Sequence, residues 1–375
     1  MNLDLVWLLL RMSQKHSELG RPEGSPQCVP AWTAFNAEVR AKTQPMCSTV
    51  GYLPIIPDSP TKLATIHELL VRSCEIAARL DQQPVIITLD QAIYSKAQEI
   101  VCMNPVPFCN VVLQLGGFHI AGAFLGVLGK RFGKAGLQDL FIESGVVGSS
   151  AIEAVLSGKH YNRAIRAHKL LYEAMMRLKW EQFESTLAVD QDDEFVQAAK
   201  LLARCLQALR VNGRFSSSRT ITLLSGFTDL VQAYLDDNDF MAGGLAKFWD
   251  SYLNMVSLLL QFVRATREGN WELHLSCIRR MLPWMFAYDR VHYSRYMSVY
   301  WWEMVRLPDV NRAAHDILVQ GEFAVQRSKG NTFGQVPMDQ CIEQAINRDS
   351  KTRGGIVGFS LNPGAVHRWI LTAHE

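Results

Sequence analysis

No CxxC pair and no CxxC…HxxxH series occurs among the chain's eight cysteines (Cys28, Cys47, Cys74, Cys102, Cys109, Cys205, Cys277 and Cys341). Structural zinc sites bring their ligands in close pairs, and disulfide frameworks belong to short chains with small cores. The thiols therefore read as free and mostly buried, in a reducing compartment. There is no GxxxxGK[ST] loop, no GxSxG elbow and no GxGxxG fingerprint, which weighs against nucleotide hydrolases, serine hydrolases and dinucleotide enzymes. Neither sign of charge is in excess: 38 Lys and Arg stand against 36 Asp and Glu, a net charge of +2, which excludes a uniformly basic nucleic-acid coat. Glycine (25) and proline (14) are at ordinary levels, so neither a collagen-like nor a linker-dominated chain is in play. The first residues, MNLDLVWLLLRMSQ, hold only a brief apolar run with Asp4 ahead of it and no small-residue cleavage site. They read as the first turns of an amphipathic helix, and the expected location is nuclear or cytoplasmic, not secreted.

Long apolar runs are also scarce. The one uncharged stretch of note, Val111 to Gly129, approaches the roughly 20 residues that cross a bilayer. Gln114, His119 and the Gly116–Gly117 pair interrupt it, and its β-branched start suits a strand turning into a buried helix, so no membrane partner is expected.

What is present is 375 residues, 48% of them hydrophobic, enough for a large core. The length allows two or three units at roughly 150 residues each. Residues 1–60 read as an N-terminal helix followed, from Gly20 to Pro60, by loop and extended chain rich in Pro, Gly, Ser and Thr. Residues 61–148 carry an α/β unit. A helix capped by Ser59 or Thr61 places Leu63, Ile66, Leu70 and Ile76 on one face and ends near Pro84. Val85 to Leu89 (VIITL) is predicted as a doubly covered central strand, Ile93 to Val101 as a helix, and Asn110 to Leu115 as a second, parallel strand. Residues 149–320 are predicted as a helical insertion or bundle, with helical patterns at 193–210 and 219–235 among others. Acidic pieces near 189–195 and 235–240 read as caps, solvated faces or a cation site. Residues 321–375 return to the core through a short strand at 323–326 and a short helix at 339–346. The fold class is thus an α/β core with a long, mainly α-helical insertion, helix-dominated overall.

At the carboxyl end of a parallel strand, side chains face the crevice where ligands bind, and Asp90 and His119 both fall at that edge. Asp90 is either a ligand for Mg²⁺ or Mn²⁺ or a cap for the next helix; His119 is either a site residue or a packed histidine. The blocks VIITLDQAIYSKAQEI and NVVLQLGGFHIAGAFLG resemble the second-aspartate block of RNase H-like DDE transposases. In those enzymes a strand ends in Asp, a helix follows, and the next strand leads to a Cys/Gly-x-x-His element; here Asp90 and His119 are 29 positions apart. The remaining chain is similar to a mobile-element-associated, transposase-like group of proteins from animal genomes. The similarity runs through PAWTAFNAEV, YLPIIPDSPTKLATI, LFIESGVVGSS, LSGKHYNRAIRAHKL, REGNWELHL, LPWMFAYDRVHYSRY and IEQAINRDSKTRGGIVGF.

That resemblance implies an incomplete RNase H-like core, a DNA partner and a metal-dependent phosphodiester-cleaving site, intact or remnant. Asp90, His119 and Glu343 would be its catalytic residues, with Asp90 and Glu343 holding Mg²⁺ or Mn²⁺. Glu343, in MDQCIEQAINRDSK, matches the late acidic ligand that follows a helical insertion. The first Asp of the set has no counterpart, because the flanking prolines of Asp58 disfavour a central strand. Lys159, Arg163, Arg166 and Lys169 lie at helical spacing as a phosphate-tracking face, and Lys159, Arg163 and Arg166 with Arg348, Lys351 and Arg353 are the candidate phosphate contacts; each group also reads as a solvated basic face. The aromatic belt over 284–302, with interleaved arginines, reads as a helix interface, as a stacking surface for single-stranded nucleic acid, or as a docking face for a protein partner. The alternative overall is a catalytically inactive helical interaction module.

Overall fold

The computed structural model describes residues 3–12, 29–39, 47–51, 56, 58–189, 243–329 and 332–344. Helix α1 (Leu3–Met12) is followed by α2 (Trp32–Val39), inside the stretch expected to be loop. Local composition misleads there because tertiary burial wins: Trp32 and Phe35 are each 1% exposed, and the Trp32 indole N–H donates to Asp4 of α1 at 2.7 Å. Asp4 also meets Arg264 at 2.9 Å, close in distance but not aligned as a hydrogen bond.

Helix α3 (Leu63–Arg79) buries Ile66 and Leu70. Neither Ser59 nor Thr61 caps it; the cap position is Lys62, whose side chain makes no cap bond. The two hydroxyls are instead engaged with each other at 3.1 Å. Strand β1 (Val85–Leu89), helix α4 (Gln91–Met103) and strand β2 (Val111–Leu115) form the parallel crossover unit, in register from Val85 against Val111 to Leu89 against Leu115. β2 is buried over its last four residues, whereas only Leu89 of β1 is buried, which corrects the expectation of a doubly covered central strand. Among the described residues β1 pairs with β2 alone, so its other edge has no strand to cover it.

β2 passes directly into α5 (Gly117–Phe132), whose buried positions run from Ile120 to Phe132. The chain continues through α6 (Leu137–Glu143), α7 (Ile152–Leu156), α8 (Tyr161–Val189), α9 (Gly244–Glu268), α10 (Trp271–Ala287), α11 (Val291–Val310) and α12 (Arg312–Val319). Asn270 and Asn311 start α10 and α12 by accepting backbone N–H bonds from Leu273 and Ala314, each at 3.0 Å. One core runs from Leu5 to Phe333, with α5 packed against α7, α9 and α10, and α11 against α4 and β2. The helices beyond residue 149 therefore share the core of the α/β unit. Strand β3 (Ala324–Gln326) pairs antiparallel with β4 (Gln335–Pro337), and β4 leads straight into α13 (Met338–Gln344), which lies against α5. The pattern at 323–326 reads as a strand from sequence, but three-residue β4 carries too little alternation to register. No described helix is long and apolar enough to cross a membrane. The helical patterns at 193–210 and 219–235 and both acidic pieces lie outside the described residues, apart from the end of α8 at Val189.

Candidate functional site

Glycine contacts position the site. A Cβ on Gly129 of α5 would sit 2.0 Å from the Leu156 carbonyl oxygen, and one on Gly158 would sit 2.3 Å from that of Gly122. Backbone therefore meets backbone along this seam, and the start of α8 is drawn beside the start of α5. Gly116, between β2 and α5, works the same way on the other side: a Cβ there would lie 2.2 Å from an Asp339 carboxylate oxygen.

Through that gap Asp339 of α13 reaches the first turn of α5. Its Oδ1 accepts from the Phe118 backbone N–H at 3.2 Å, its Oδ2 from the His119 backbone N–H at 3.1 Å, and the same Oδ2 lies 2.9 Å from His119 Nδ1. The carboxylate satisfies free N–H groups at the positive end of a helix and fixes the imidazole at once. The hydrogen bond to Asp339 raises the His119 pKa against the opposing effect of burial, and the charges of Asp339, Asp90 and Glu343 push the same way. Three carboxylates, one at the end of β1 and two on α13, thus act on one imidazole. Asp90 stands at the end of β1 with its Oδ1 accepting the Ile93 N–H at 2.9 Å, so its carboxylate caps α4. Glu343 lines a groove of about 420 Å³ together with Phe118, Lys159, His160, Tyr161, Asn162 and Arg163.

Tyr161 of the groove lining and Tyr293 both respond to the site's charges. Burial pushes Tyr161 up to about 12, with Arg267 opposing and Asp339 adding to the shift. Tyr293 of α11 is also raised, by burial first and then by Asp90 and Asp339. Asp339 and Tyr293 were not among the residues singled out from the sequence as site residues. The available signal for Asp339 was an acid in the first turn of a short helix, one turn ahead of Glu343 on the same face.

Among the described residues no group of three or more His, Cys, Asp and Glu side chains is arranged to hold a metal ion. Asp90 is turned onto α4 and Asp339 onto α5, so the Asp90 and Glu343 pair expected to hold Mg²⁺ or Mn²⁺ lacks a converging third ligand. Replacing Asp339 by Asn is expected to lower the His119 pKa, since the replaced side chain cannot carry the charge that favours imidazolium. An NMR titration of the imidazole reads this, and an unchanged pKa in the variant would show that the pair is not formed.

Lys159, Arg163 and Arg166 are exposed at the α7–α8 junction, while Lys169 is half-buried. Arg348, Lys351 and Arg353 lie outside the described residues. The aromatic belt divides. Tyr300 is buried, and Trp284, Tyr288, Tyr293, Tyr296 and Trp301 are half-buried against the core. Arg131 of α5 lies over Trp284 and Tyr288, at 5.4 and 5.9 Å from their ring centroids. Most of the belt is thus a helix interface, and Phe286 and Trp302 are its exposed members. The six described cysteines are free thiols, but only Cys277 is buried and Cys47, Cys102 and Cys109 are exposed, which corrects the expectation that most are buried.

A family described as a domain of unknown function (DUF8702) matches residues 31–375. None of the curated proteins and none of the solved structures matches the chain.

Proposed function

For a chain that belongs to the DUF8702 family over residues 31–375, we propose the function of a transposase-derived DNA-binding protein. In this reading the β1–α4–β2 unit is the remainder of an RNase H-like core, and the group formed by Asp90, His119, Asp339 and Glu343 is a remnant or weak phosphodiester-cleaving site. One observation carries the proposal: the same groove is lined by the basic side chains Lys159 and Arg163 and by Glu343, and it opens beside the His119–Asp339 pair. Basic side chains there neutralise backbone phosphates. The imidazole, held through Nδ1 by Asp339, has its other ring nitrogen as the group able to exchange a proton with a bound phosphodiester. Asp339 acts by orientation and charge, as its oxygens are already engaged. Since no described ligand set suits a metal ion, no step through one is assigned.

Duplex binding is expected to weaken with salt. Three phosphate contacts by Lys159, Arg163 and Arg166 give a slope of log K against log salt of about −2.7, and the variant with all three changed to Ala is expected to lose about that much slope. Absence of binding at low salt, or an unaltered slope in the triple variant, would sink the reading. Nicking by the native chain with Mg²⁺ or Mn²⁺ that disappears in Asp339→Asn and Asp90→Ala marks a working site; no nicking by the native chain marks a remnant.

A second reading, an inactive helical interaction module, is favoured by the outer face of α11. There Trp302 is 55% and Val299 39% exposed, with Arg306 at 5.5 Å from the Trp302 ring centroid. It predicts a folded protein that fails the duplex titration.

A further inference from the structure

We propose that Lys169 and Arg267, with Arg166 at the rim, form a seat for a phosphate group next to Tyr161, which lines the groove. The proposal does not depend on phosphodiester cleavage. Lys169 stands on α8 and Arg267 on the last turn of α9, and both converge on one indole. The Lys169 ammonium is 5.8 Å, and the Arg267 guanidinium carbon 5.5 Å, from the Trp32 ring centroid. Arg267 is also 5.5 Å from the Phe333 centroid and donates to the Thr33 hydroxyl at 3.0 Å. No carboxylate neutralises either cation. Among the described residues Lys169 makes no hydrogen bond or ion pair, and Arg267 makes the Thr33 bond alone. The carboxylate that acts on Lys169, Glu173, is already held by Arg11 at 2.9 Å and by Arg177 at 3.2 Å.

The cost of this arrangement is visible in both groups. Burial lowers the pKa of each, and the charges of Arg267, Arg166 and Arg11 lower that of Lys169 further, against the pull of Glu173. Ring faces attract cations, but they do not replace a counter-charge. The ligand that completes such a site is an anion rich in acceptors. Lys169 offers three N–H donors and Arg267 the remainder of a planar fork, and forks of this kind suit phosphate oxygens. Two to three positive charges match a dianion better than a single carboxylate. Trp32 and Phe333, each 1% exposed, form a dry apolar floor that strengthens any ion pair made there and leaves no open ring face for stacking a base. Tyr161 ties the seat to the groove: it lines the groove and responds to the charges of both Arg267 and Asp339.

The free ion and a nucleic-acid backbone are the two sources of such a phosphate, and a calorimetric titration with inorganic phosphate at constant ionic strength begins the test. Saturable binding by the full chain is expected, weaker by at least about tenfold in Lys169→Met and in Arg267→Gln. Acetate is expected to give no saturable response. Phosphate that competes with a short duplex, together with weaker duplex binding by Lys169→Met, identifies the backbone as the source. Unchanged duplex affinity in that variant identifies the free ion. Lys169→Met also has a folding readout: removing one of two unneutralised like charges is expected to leave the unfolding midpoint equal or higher. A lowered midpoint in Lys169→Met, no saturable phosphate binding, equal affinity in the variants, or an equal response to acetate each overturns the seat. None of these outcomes depends on DNA cleavage, so a failure to nick leaves the seat standing, and a failure of the seat leaves the groove's duplex binding to its own test.

Discussion

Acidification from about pH 7.5 to about pH 5 is expected to remove about 4 kcal/mol of folding stability through two buried histidines, at 1.36 kcal/mol per pH unit for each. His168 and His274 are 0% and 3% exposed, and burial pushes each down to about 3. His168 Nδ1 lies 2.9 Å from the Tyr252 hydroxyl, and its Nε2 has no hydrogen-bond partner. His274 is stacked between Phe262 and Trp271, at centroid distances of 4.9 and 5.4 Å. Neither environment accepts imidazolium. In the unfolded chain both protonate near the ordinary histidine value of about 6.5, so below that pH the unfolded state binds more protons. Stability is therefore complete above about pH 6.5 and falls as the pH drops from there towards the folded value of about 3. His119 has the opposite sign: its raised pKa stabilises the fold at low pH, and that contribution is lost as the pH rises through the folded value, so one histidine offsets part of the loss from two. Urea unfolding at the two pH values measures the net effect. In His274→Phe, where the ring stack is retained, the loss is expected to shrink by about 2 kcal/mol. Stability that is flat over this interval would mean that these rings are not held neutral.

The second large effect lies on the glycine seam. Gly158 has φ +81°, a backbone conformation that L side chains rarely adopt, and a Cβ there would be 2.3 Å from the Gly122 carbonyl oxygen and 3.1 Å from Leu125 Cβ. Left-handed backbone costs about 1 kcal/mol for alanine and forced overpacking about 1–3 kcal/mol, so Gly158→Ala is expected to destabilise by about 3 kcal/mol in denaturant unfolding. Gly129→Ala, with its Cβ against the Leu156 carbonyl, tests the overpacking part without the backbone strain. Gly148→Ala is the control: its φ is −69° and nothing lies within 4 Å of the added carbon, so it is expected to be near neutral. The seam also sets the groove. A variant that stays folded but is spread apart there is expected to bind the duplex more weakly, because Lys159 and Arg163 would shift away from Phe118 and His119.

Legibility differed with the range of the interaction. The VIITL and VVLQL runs, the helix between them and the turn of the second into α5 were readable because apolar run length and breakers act within a few residues. The burial of β1 was not, since it depends on whether a further strand lies beside it. The helix at 32–39 was hidden by surrounding Pro, Gly and Ser, as its cause is the burial of Trp32 and Phe35 against distant elements. At the site, Asp90 and His119 were legible as strand-end residues. Asp339, the residue in direct contact with His119, was not, being 220 positions away and carried by a helix of seven residues.

The sequence by itself determined the helix-dominated class, the parallel crossover unit and the location of a basic segment at 159–166, all consequences of local periodicity and composition. Only the tertiary structure decided what these meet. Asp339 closing on His119, Asp90 turned onto its own helix, Lys169 and Arg267 sharing one indole, and most of the aromatic belt turned inward are contacts between segments far apart in the chain. Charge, hydrogen bonding and burial act across space, and a linear pattern records the groups that take part without recording which of them become neighbours.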